Sequence, residues 1–159
     1  DLFADGEKVP EFLVWAQKDK HSASLQRIQI IKGSITNSGA RPSEKVFDVV
    51  CSDGLKVDPT THRCPDNGAR VNIEDCSITN NVGATELKAT WRDPDFNPKD
   101  KAFYYVRVLE NPTCRWSTWD ALKAGIKPRS DLHKTIQERA WSSPIWYIPV
   151  PEDIDIFAL

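Results

Sequence analysis

The amino-acid sequence predicts a mainly β protein, an antiparallel β-sandwich of about eight short strands with one short helix. Three observations carry this. Most apolar segments alternate with period two, as half-buried strands do. Turn clusters separate them: Asn37-Ser38-Gly39, Ser52-Asp53-Gly54, Asp66-Asn67-Gly68 and Asp93-Pro94-Asp95. A single segment, beginning near Ser117, carries both a start and a stop signal for a helix.

In chain order, residues 11–18 place Phe12, Val14 and Ala16 on one face and Leu13 and Trp15 on the other. Residues 25–32 are rich in β-branched isoleucine, and Gly33 is expected to end them. Residues 45–51 alternate around Phe47 and Val49, and 69–73 read as a short strand. Residues 84–91 alternate most cleanly. Leu87, Ala89 and Trp91 share a core side, and Glu86, Lys88 and Thr90 share a side that meets water. Residues 102–109 are apolar on both faces, interrupted by Arg107, which marks a central strand. The last strands are expected at 135–141 and 145–148, divided by Ser142-Ser143-Pro144, because proline cannot donate to a ladder. A helical reading of 131–140 competes with the first of these, since Ile136 to Ala140 fits either period. The one helix is expected from a Ser117 cap with Asp120 three residues on, ended by Gly125. Residues 1–10 read as a connector and 149–159 as an acidic, proline-bearing tail, leaving one domain over 1–159.

At 159 residues the chain is long enough to bury a real core. A formal net charge of -2 gives no electrostatic reason to expect nucleic acid or an anionic membrane as partner. No apolar run approaches the roughly 20 residues that span a bilayer as a helix. The absence of methionine and the polar opening predict a piece of a longer or processed precursor, with any signal peptide upstream.

Cys51, Cys64, Cys76 and Cys114 include no Cys-x-x-Cys pair, and zinc sites bring their ligands in such close pairs. The spacing therefore predicts disulfides and a periplasmic or secreted location. Four free thiols in a cytosolic protein are the alternative. Of the three possible pairings, Cys51–Cys64 with Cys76–Cys114 is favoured, because Cys51 and Cys64 flank a turn-rich loop between two strands.

No complete catalytic site assembles from the sequence. His21, His62 and His133 are scattered, and no His-x-His, His-Glu-x-x-His or Gly-x-Ser-x-Gly pattern occurs. No resident metal or cofactor is expected in this portion. Asp53, Asp58, Asp66, Asn67, Glu74 and Asp75 offer hard oxygens for calcium, but their spacing is not that of an EF-hand, and Asp and Asn beside Gly are ordinary turn residues. Trp116, Trp119, Trp141 and Trp146 are candidates for docking against a partner or for stacking on sugar rings. Arg115, between Cys114 and Trp116, is the candidate substrate contact, because a pinned guanidinium presents a ready fork to a carboxylate or phosphate. Its plainer reading is an ion pair with Glu110 or Asp120.

Several stretches together carry a family resemblance. They are Leu25-Gln26-Arg27-Ile28-Gln29-Ile30-Ile31-Lys32-Gly33, Cys51-Ser52-Asp53-Gly54, Thr61-His62-Arg63-Cys64-Pro65-Asp66-Asn67-Gly68-Ala69 and Trp91-Arg92-Asp93-Pro94-Asp95-Phe96. The longest runs from Phe103 to Asp120 and contains Cys114-Arg115-Trp116-Ser117-Thr118-Trp119; the last runs from Gln137 to Tyr147. These stretches resemble the C-terminal part of a bacterial family known as domain of unknown function 3604. The resemblance implies an exported protein whose N-terminal half is similar to the polymerase-and-histidinol-phosphatase superfamily of metal-dependent phosphoesterases, with a divalent metal in that half. The missing N-terminal catalytic domain would then be this chain's partner, and an isolated piece would expose its docking face and self-associate. The family's metal ligands map onto no position here.

Overall fold

The computed structural model describes residues 9–35 and 41–149. The expected turn at 37–39, most of the connector and most of the tail lie outside the described residues. Nine strands and one helix are described: β1 (Glu11–Gln17), β2 (Leu25–Ile35), β3 (Ser43–Cys51), β4 (Glu86–Arg92), β5 (Lys101–Glu110), β6 (Thr113–Cys114), α1 (Trp116–Lys123), β7 (Thr135–Ile136), β8 (Arg139–Trp141) and β9 (Ile145–Tyr147). Every strand pair is antiparallel. The larger sheet runs β3-β2-β5-β8, with β9 also on β5; β1 pairs with β4, and β6 with β7.

The alternation seen in the sequence sets the layers. Phe12 and Val14 of β1 and Leu87 of β4 face Ile28, Ile30, Ala102 and Tyr104 of the larger sheet, and Tyr147 closes the cluster. Ala89 and Trp91 pack against it, while Leu13 and Trp15 stand in solvent as their parity requires. β5 is central, paired with β2 on one side and with β8 and β9 on the other.

One ion pair sits inside this core. The Lys32 ammonium lies 2.5 Å from Asp93, whose carboxylate also accepts the Tyr104 hydroxyl (2.8 Å) and the Asp95 amide (2.9 Å). Lys32 donates further to the Asp95 carbonyl at 2.7 Å. Asp93 is thus fully partnered, which is the condition for burying a charge. Burial, and then the bond to Asp93, push the Tyr104 hydroxyl's pKa upward, so it remains a donor.

Four expectations need correcting. Residues 69–73 form no strand; a single bridge joins Val71 to Ile78. Asn72 and Asp75 turn the chain there, accepting the amides of Glu74 and Ser77. Gly33 does not end β2, which continues to Ile35, because the missing side chain leaves room for the Phe103 ring, 2.2 Å from where a Cβ would stand. Residues 135–141 split into β7 and β8, since the Gln137 side chain leaves the ladder to donate to Gln26 and to the Glu110 carbonyl. The helix begins at Trp116, with Arg115 at the cap position and no side-chain cap bond; Ser117 is not the cap. Instead the amide and hydroxyl of Thr118 bind Arg115 and Lys134 carbonyls. Gly125, at φ +67°, stops the helix as expected.

Lys32→Met is expected to cost about 3–5 kcal/mol in urea denaturation, because it strands the Asp93 carboxylate in the core. Adding Asp93→Asn to that variant is expected to restore part of the loss.

Candidate functional site

Between β3 and β4 the chain leaves the sheets for more than thirty residues, and two disulfides tie this excursion down. Cys51–Cys64 closes its first lobe, and Cys76–Cys114 fastens its second to β6; these are the two favoured pairings. Closing such loops removes about 3–4 kcal/mol of unfolded-state entropy each.

Polar side chains complete the attachment. Asn67 donates to Ser52, Asp53 and Asn111 (3.2, 3.2 and 2.9 Å) and accepts from Gln26 and the Ala69 amide. Asn111, itself buried, donates to the Val82 carbonyl. Asp53 receives the Gly83 amide on both carboxylate oxygens. Gly83 has φ +95°, and a Cβ there would stand 2.5 Å from Ser24 Cβ, so only glycine lets the loop return to β4 this closely.

The docked loop, β6, β7 and β8 surround a recess of about 520 Å³. Arg70, Arg115, His133, Gln137 and Arg139 line it, with Asp66. Asp66 is already engaged, gripping Arg70 through both oxygens (3.1 and 2.6 Å). That bond, together with the Gly68 amide, pulls the Asp66 carboxyl down to about 2.

Arg115 is held differently. The disulfide at Cys114 fixes the residue before it, and its own backbone opens α1. Its Nε is buried without a hydrogen-bond partner. Among the described residues no ion pair joins Arg115 to either expected carboxylate, Glu110 or Asp120; Glu110 accepts from the Ser22 hydroxyl instead. Nor do its sequence neighbours Trp116 and Trp119 line the recess. They stand exposed on α1 around a shallow separate hollow with Asp120 and Lys123.

Trp141 and Trp146 lie on the larger sheet's outer face, opposite the side covered by β1 and β4. Trp141 pairs with Arg107 across β8 and β5, and Trp146 with Phe103, ring centroids 5.2 Å apart. Both tryptophans are about half exposed, at 58% and 49%. The row extends across the sheet, where Arg107 donates to Gln29 and Gln29 to Asp48 (2.7 and 2.5 Å). Arg27 and Arg63 close on Asp48 at 3.6 and 3.7 Å. Burial, and then repulsion from Arg107, Arg63 and Arg139 against the pull of Asp48, lower the Arg27 pKa. Sequence reasoning missed this arginine cluster. Period-two spacing of Arg27 with Gln29, and of Arg107 with Leu109, hints at it, but cross-strand register decides it. At the far end Phe103, Trp146, Ile35 and Ile148 line an apolar groove, also about 520 Å³.

The candidate oxygen ligands do not converge. Asp58 caps its own turn through the Thr60 and Thr61 amides, and Asp75 caps Ser77. Among the described residues no three His, Cys, Asp or Glu side chains come together as a metal would need. His62 packs its ring against Phe47, 5.1 Å between centroids. No helix among the described residues is long and apolar enough to cross a membrane.

Residues 1–149 match the family described as "Protein of unknown function (DUF3604)". The chain belongs to that family. No curated protein and no solved structure matches it.

In this family member the Asp66–Arg70 pair offers a direct check on the recess. The folded pKa of Asp66 lies below its unfolded value of about 3.9. Whatever the pair contributes is therefore complete above that value and is lost as pH falls through about 2. A carboxyl NMR titration is expected to show Asp66 ionised down to about pH 2, and Arg70→Ala to move its midpoint up toward about 4.

Proposed function

We propose that this chain is the non-catalytic C-terminal accessory domain of an exported, metal-dependent hydrolase of the phosphoesterase-like kind. It packs through its outer sheet face against the N-terminal catalytic half of the same polypeptide, and it holds Arg115 toward that half's substrate cleft. The observation that carries this reading is the composition of the face. Trp141, Trp146 and Phe103 share it with Arg107, and tryptophan and arginine are the residues that anchor protein interfaces. The surplus of arginine calls for a carboxylate-bearing partner surface. Two disulfides support an oxidising location, periplasmic or secreted. In this reading the divalent metal is held by the catalytic half.

Hydrogen–deuterium exchange on the 159-residue chain, alone and within the longer polypeptide, tests the docking. Residues 103–107 and 139–147 are expected to exchange more slowly in the longer protein. Equal exchange in both would refute the packing. A face that is protected in the isolated chain only at high concentration would point to self-association instead.

A carbohydrate-binding module is the alternative reading, favoured by the exposure of Trp116 and Trp119 side by side on α1. Soluble polysaccharides are then expected to quench tryptophan fluorescence in the native chain but not in Trp116→Ala/Trp119→Ala. No quenching by any of them would remove that reading.

A further inference from the structure

We infer that the recess formed by Arg70, Arg115 and Arg139 is a binding site for a compact, doubly charged oxyanion, a phosphate or sulfate group. The inference rests on Arg115 as a ligand contact, as proposed above, and not on the docking of the outer face.

Charge is the first argument. Three guanidinium groups line the recess against one carboxylate. Asp66 is fully used by Arg70, so the positive charges of Arg115 and Arg139 are left over. A lone carboxylate would neutralise one of them; a dianion neutralises both.

Geometry is the second. Arg115 has a buried Nε with no acceptor, and a buried donor left unsatisfied is costly. Among the described residues Arg139 makes only a long 3.4 Å bond, to the Gln137 carbonyl. The remaining N–H groups of both therefore stay available to oxygens within the recess. Thr135 and Gln137 add polar lining. A group with three or four oxygens can accept from two forks at once, which a two-oxygen carboxylate held by one fork cannot.

Pre-organisation is the third. Arg70 is braced by Asp66, Arg115 by the neighbouring Cys76–Cys114 bond and the start of α1, and Arg139 by its place in β8 on β5. The ligand therefore does not have to order the segments that bind it.

The test is calorimetric titration of the full chain at low ionic strength with inorganic phosphate, sulfate and acetate, with two-dimensional amide NMR to locate the site. Phosphate and sulfate are expected to bind and to shift the amides of 69–70, 114–116 and 137–139. Acetate and the Arg115→Ala and Arg139→Ala variants are each expected to lose about tenfold or more in affinity. Arg115→Lys keeps the charge without the fork and is expected to fall between native and alanine. Phenyl phosphate separates two sources of the anion. Affinity equal to that of inorganic phosphate assigns the end group of a larger ligand, and a clear loss assigns the free ion. Acetate binding as tightly as phosphate would overturn the dianion assignment while leaving Arg115 a ligand contact. A folded Arg115→Ala variant that binds phosphate like the native chain, or shifts confined to an adventitious surface lysine, would overturn both.

Discussion

The attachment of the long β3–β4 excursion to β6 and to the β5–β6 connection is the constraint on which the rest depends. Cys76–Cys114 provides it covalently and the Asn67–Asn111 hydrogen bond reinforces it, while the Asp53 grip on Gly83 draws the two ends of the excursion together. Without that attachment Arg70 and Asp66 would belong to a free loop. With it they face Arg115 and Arg139 across a common recess. A loop of this length has little apolar surface to bury, so covalent and polar ties take the place of a core.

The sandwich beneath supplies the rigidity. Its inner face is apolar except for Lys32 and Asp93, which satisfy one another and Tyr104. Its outer face carries a hydrogen-bonded row from Asp48 through Gln29 to Arg107, ending at an exposed tryptophan, with the apolar groove at Phe103 and Trp146 beyond it. One sheet thus carries a core on one side and a surface suited to recognition on the other. β5 contributes to both, through Tyr104 inward and Phe103 and Arg107 outward.

The layers were legible in the sequence because period two is a local signal. The faces of β1 and β4 follow from single residues such as Val14 and Leu87, and the centrality of β5 from a run that is apolar on both faces despite Arg107. The disulfide pairing was legible because Cys51 and Cys64 flank one loop. Residues 69–73 misled because Ala-Arg-Val-Asn-Ile alternates while Asn72 and Asp75 bend the chain. The helix start misled because Ser117 resembles a cap, whereas carbonyl contacts from the far side of the loop place the first turn earlier. Arg115 stood out from its covalent neighbour alone. Arg70 and Arg139 did not, since each is an unremarkable surface arginine until tertiary structure brings it beside Arg115. The tryptophans beside Arg115 in sequence proved to face elsewhere, because α1 carries them away from the recess.

A cross-linked loop held on an independently stable sheet is the central claim, and amide exchange in a Cys76→Ser/Cys114→Ser double variant tests it most directly. The account predicts that 66–78 and 112–116 lose protection while β2 and β5 keep theirs, a local opening rather than a global one. Loss of protection throughout β2 and β5 would contradict it, and so would undiminished protection around Arg115.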